Sequence, residues 1–142
     1  MFQRFCVSLA GAVCLTLAGC GGGSGEKFTP VTGKVTVGGA PLASGAVTFH
    51  PDGTKGNKTQ HIPVGSLDAE GKYKLMSATI EGAPPGWYKV TVVAQQPIDP
   101  ANPYAPPKHI INPKFSDAAT SGFAVEVKEA AAPGAYDFEV TK

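Results

Sequence analysis

Three histidines and eleven carboxylates are the raw material for acid–base or metal chemistry in this chain, and their spacing decides whether they can be used. His50 falls on the polar phase of an alternating stretch, two residues before Asp52, and His61 lies in a turn-rich segment beyond it. A zinc or catalytic centre would need these three to converge with a free position for substrate. Asp68 and Glu70 bracket one alanine, and two carboxylates with nearby carbonyls are the start of an oxygen-ligand site for a hard cation. Both groups read more simply as exposed turn residues, so neither a metal nor a cofactor is expected. No nucleophile-elbow pattern, Walker loop, His-Glu-x-x-His or EF-hand repeat is present, and no catalytic residue is assigned. Trp87 is the only tryptophan, and its ring face could stack on a sugar.

The other reactive group is a thiol. Arg4 is followed by an apolar run over residues 5–17, the length of a signal-peptide core and too short for a spanning helix. Leu17, Ala18, Gly19 and Cys20 close that run. The tetrapeptide resembles the lipobox of bacterial lipoproteins at all four positions. That resemblance implies cleavage between Gly19 and Cys20, diacylation of the Cys20 sulfur and acylation of the new amino group. Residues 1–19 are then a lipoprotein signal peptide, with ordinary secretory cleavage at a small residue as the competing reading. A single myristoyl-sized chain binds a membrane with K of only about 10⁴ M⁻¹, and stable anchoring takes two signals. A multiply acylated Cys20 is therefore a lasting lipid anchor. Gly21, Gly22, Gly23, Ser24 and Gly25 open a Gly/Ser-rich tether assigned to residues 20–29. Since residue 21 is not Asp, the sorting pattern of enteric bacteria favours the outer membrane within the cell envelope.

Loss of the leader removes Arg4 alone among the twelve basic residues, which leaves eleven lysines against eleven carboxylates. A balanced surface without Lys/Arg runs lacks the footprint of a nucleic-acid binder. Cys6 and Cys14 lie in the leader, so the folded part holds no thiol for a disulfide or a thiolate metal site. Its stability must come from packing, and residues 30–142 suffice for one core.

Those residues must position whatever site exists, and from Val31 onward apolar and polar side chains alternate with period two. Val31, Val35 and Val37 oppose Thr32, Lys34 and Thr36. Val47 and Phe49 oppose Thr48 and His50; Tyr73 and Leu75 oppose Lys72 and Lys74. Tyr88, Val90, Val92 and Ala94 form the longest run, which belongs at the centre of a sheet. Phe123, Val125 and Val127, then Tyr136, Phe138 and Val140, close the chain. With a run at 62–67, seven strands are expected, separated by glycine and proline turns such as Gly38-Gly39, Pro51-Asp52-Gly53 and Pro133-Gly134. The pattern predicts an all-β, seven-stranded antiparallel sandwich of two sheets.

Residues 96–113 break the alternation with six prolines. No sheet interior tolerates that density, and a loop of this length is usually functional or disordered. Tyr104, Lys108 and His109 make it the leading contact surface, beside the plainer reading of a crossover strap along one edge of the sandwich.

Three landmarks resemble carboxypeptidase regulatory-like domains, which have a transthyretin-like (prealbumin-like) fold. They are Pro30-Val31-Thr32-Gly33-Lys34-Val35-Thr36-Val37, Asp68-Ala69-Glu70-Gly71-Lys72-Tyr73, and Pro85-Gly86-Trp87-Tyr88-Lys89-Val90. The resemblance implies a small bacterial lipoprotein whose module is non-catalytic and serves structure or protein interaction. The alternative is a glycan- or peptide-binding lipoprotein using Trp87 and the 96–113 loop. The enzymatic branch of that fold, the 5-hydroxyisourate hydrolases, uses histidines, an arginine and a terminal Tyr-Arg-Gly-Ser motif. This chain ends Glu139-Val140-Thr141-Lys142 and has no arginine after Arg4, so it departs from that branch.

Overall fold

The computed structural model describes residues 25–142; the leader, Cys20 and the start of the tether lie outside the described residues. Ten strand segments build two sheets: β1 (Thr32–Val37), β2 (Ala40–Pro41), β3 (Ala46–Pro51), β4 (Val64–Ser66), β5 (Lys72–Lys74), β6 (Met76–Ser77), β7 (Ile80–Glu81), β8 (Gly86–Val93), β9 (Phe123–Val127) and β10 (Phe138–Val140). One sheet has the order β7-β6-β4-β3-β8-β9, and the other joins β1 to β10, β2 and β5. All seven alternating runs appear as strands, and the three additional segments are two residues long, too short to show a period. β8 lies between β3, which pairs it over Tyr88–Val93, and β9, which pairs it over Gly86–Val90.

The expectation of purely antiparallel pairing is corrected at one ladder. β1 and β10 run parallel, with Val35, Thr36 and Val37 opposite Phe138, Glu139 and Val140. β9 runs antiparallel to β8. Residues 128–137 then turn the chain at the end where β1 begins, so β10 sets out in the same direction as β1.

The inward phases meet in one core centred on Phe49, whose ring lies within 6.5 Å of those of Tyr73, Tyr88, Tyr136 and Phe138. Val31, Val35, Val47, Val90, Val92 and Val140 are fully buried around it. Each such side chain contributes about 1.5–3 kcal/mol by leaving water. Two buried hydroxyls are satisfied within the core: Tyr88 donates to the Pro84 carbonyl at 2.7 Å and Tyr73 to the Tyr136 carbonyl at 2.6 Å. Burial raises the pKa of both phenols above the ordinary value, so they remain donors.

β4 departs from simple alternation. Ile62 and Val64 point outward while Pro63 and Gly65 point inward. A Cβ on Gly65 would stand 2.9 Å from Cδ2 of Tyr73, so the missing side chain is the space that the Tyr73 ring fills.

Candidate functional site

The proline-rich segment divides into a projection and a strap. The Gln96 amide donates to the Lys108 carbonyl and the Ile110 amide to the Ala94 carbonyl, both at 2.9 Å, and Gln95 and His109 form an isolated bridge. These bonds pinch the base of an outward lobe. Two consecutive turns shape its tip: the Asn102 amide donates to the Asp99 carbonyl, and the Ala105 amide to the Asn102 carbonyl. The Asp99 carboxylate also accepts from the Ala101 amide, the local bond that favours Asp at turn starts. The lobe leaves Tyr104 95% and Ile98 73% exposed. Between its arms is a concavity of about 600 Å³, walled by Pro97, Pro106 and Pro107 with Asn102 and Lys108 among its polar groups. Beyond His109 the chain becomes the strap: Ile111 and Phe115 are buried, and the Asn112 amide donates to the Thr141 carbonyl just past β10.

Trp87 lies at the other end of β8. Eight residues separate it from Gln95, a distance of roughly 26 Å at 3.2–3.4 Å per residue. A ligand that touches both Trp87 and the loop would have to be an extended chain running the length of the strand. The Trp87 backbone is fixed by its carbonyl, which accepts from the Asp52 amide at 2.9 Å and the Asn57 side chain at 2.8 Å. Asp52 caps the short turn Gly53–Lys55, its Oδ1 accepting from the Thr54 amide at 3.0 Å and the Thr54 hydroxyl at 2.6 Å. The hydroxyl bond holds the Asp52 carboxyl below its ordinary range. That capped turn carries Lys55 to 3.8 Å above the Trp87 ring, a cation–π contact over one face of the indole.

The candidate metal-binding side chains are each engaged locally. His50 Nε2 lies 3.0 Å from the Thr91 hydroxyl on the outer face of the sheet, and partial burial lowers its pKa. Asp52 is committed to its turn, and His61 faces Glu26 at 3.3 Å with Phe28 edge-on to its ring. Asp68 Oδ1 accepts from the Glu70 and Lys72 amides at 2.9 and 2.8 Å, which closes the hairpin before β5. Among the described residues, no group of three or more His, Cys, Asp or Glu side chains could hold a metal ion. No helix among them is long and apolar enough to cross a membrane.

Sequence reasoning missed three features of this surface. Residues 26–29, assigned to the tether, are docked on the sandwich. Thr29 is buried and exchanges both backbone bonds with Ala83 at 2.9 Å, Lys27 pairs with Glu129, and Glu26 meets His61. Lys55 and Ile98 were also unassigned. Nothing local in sequence signals that Lys55 meets Trp87, whereas Ile98 among prolines was an available sign of an exposed apolar tip. No protein family, curated protein or solved structure matches the chain.

Proposed function

We propose that this chain is a non-catalytic lipoprotein of the bacterial cell envelope, anchored through acylated Cys20, whose transthyretin-like sandwich presents residues 96–107 to a partner protein. The observation that carries the reading is polarity. The described chain enters beside Ala83 and the start of β8, and the exposed Tyr104 lobe stands beyond the far end of that strand. An anchor at one end and a stiff, proline-walled projection at the other suit a module that displays a contact surface away from a membrane. Proline segments lose little entropy on docking, which favours such contacts. The separate local engagements of His50, His61, Asp52 and Asp68 support a non-catalytic role. The three landmarks that resemble carboxypeptidase regulatory-like domains coincide with β1, the turn into β5 and the start of β8, and they support the finer fold assignment.

The test is in-cell photocrosslinking with a photoreactive residue in place of Tyr104. A discrete protein adduct is expected; its absence, with the variant present in the envelope, would leave the lobe without a partner and overturn the interaction role. Cys20→Ala is expected to move the protein from the membrane to the soluble fraction. Retention of that variant in membranes contradicts the anchor.

A further inference from the structure

We infer that the end of the sandwich carrying Trp87, Lys55 and Lys58 is turned toward the bilayer and rests against phospholipid headgroups, an inference that depends on the lipid-anchor reading above. The argument starts from chain length. Glu26 follows Cys20 by six residues. A fully extended chain of that length spans about 20 Å at most, and a Gly-rich coil roughly 12–15 Å. Residues 26–29 add no reach, because the Thr29–Ala83 bridge and the Glu26–His61 and Lys27–Glu129 pairs hold them to the domain. Glu26 lines the same depression as Lys55, Lys58 and Trp87. An acylated Cys20 therefore keeps this end nearest the headgroups, while the Tyr104 lobe, with β8 upright, lies farther out by about the length of that strand, roughly 26 Å.

The chemistry of this end suits that neighbour. Lys27 is paired with Glu129, Lys128 with Glu126, and Glu26 faces His61. Lys55 and Lys58 form no ion pair among the described residues, and both flank the depression that Trp87 lines. Lysines near an anionic leaflet are attracted to it, and tryptophan favours the headgroup level, where one part of the ring is wet and another apolar. Lys55 stands over one face of the ring, and Trp87, half-buried, still lines two surface depressions.

Trp87 is the only tryptophan, so the emission of the whole lipidated chain reports on this end alone. The protein purified from membranes is reconstituted into phosphatidylcholine–phosphatidylglycerol vesicles, with or without lipids brominated near the headgroup, and flotation is followed in parallel. Flotation with emission that is shifted to the blue and dimmed by the brominated lipid is the expected result. Protein that floats but is equally bright in both vesicles overturns the orientation and leaves the anchor standing. Protein that does not float overturns both. The Lys55→Glu/Lys58→Glu variant, altered only at exposed positions, is expected to lose most of the dimming; dimming equal to that of the parent overturns the headgroup contact. A response of Trp87 to soluble wall glycans in place of lipid assigns the surface to sugar and overturns it as well.

Discussion

The Tyr73 hydroxyl and the Tyr136 carbonyl, 2.6 Å apart, tie β5 to the approach to β10 through the buried centre of the sandwich. Gly33 on β1 sits directly beneath this bond. A Cβ there would run into the Tyr136 carbonyl oxygen and stand 2.7 Å from the Tyr73 hydroxyl, so the glycine is required by close approach. Tyr73→Phe leaves a buried carbonyl without its donor and is expected to cost about 1–3 kcal/mol. Gly33→Ala overpacks the same point and is expected to cost about 1–3 kcal/mol or more. Urea unfolding of the two variants checks both values, and an unchanged midpoint for either contradicts the arrangement.

His50 supplies a pH dependence whose sign is fixed. Burial lowers its pKa below the ordinary 6.5, so the unfolded chain binds the proton more readily. Its contribution to stability is complete above the unfolded value and is lost as pH falls through the folded one. Melting temperature is expected to decline on acidification below about pH 6.5, and His50→Gln is expected to flatten that part of the curve. A parallel decline in both proteins would place the effect elsewhere.

Tyr136 protects an edge. Its hydroxyl accepts from the Lys128 amide at 3.2 Å and donates to the Glu126 carbonyl at 3.4 Å, at the end of β9, where no further strand pairs among the described residues. Exposed strand edges invite pairing with other chains. Tyr136→Phe is expected to cost about 0.5–1.5 kcal/mol and to raise self-association with concentration, measured by sedimentation. A variant that remains as monodisperse as the parent argues against an edge role.

The lobe is expected to be thermodynamically dispensable. Its base closes through Gln96–Lys108 and Ala94–Ile110, and its tip buries little. Replacing residues 97–107 with a short Gly-Ser turn is expected to change stability by less than about 1 kcal/mol while abolishing any adduct formed from the lobe. Thermal unfolding of the shortened protein decides the first half, and a large loss would mean that the lobe braces the core.

Alternation made most of the sandwich legible, because strands with one buried face must repeat every second residue. Tyr88, Val90, Val92 and Ala94 are buried, as their phase implied, along a strand that lies between β3 and β9. The exceptions have local causes. At β4 the inward position belongs to Gly65, since Tyr73 takes the volume, and Ile62 and Val64 are turned out against their hydropathy. The parallel β1–β10 ladder depends on where residues 128–137 reverse, which no period encodes. The site was harder to read. Tyr104 stands exposed as its proline context implied, but the separation of Trp87 from the loop follows from strand direction, and the Lys55–Trp87 contact from a turn capped by Asp52.

The parallel ladder has a mechanical consequence. β1 begins soon after the described chain enters, and β10 ends at Val140, one residue before Thr141, to which the strap below the lobe is bonded through Asn112. Tension between an anchor before β1 and a partner gripping the lobe would draw these two strands in opposite senses along their length. The bonds from Val35 to Val37 against Phe138 to Val140 would then share the load in shear and not open one at a time.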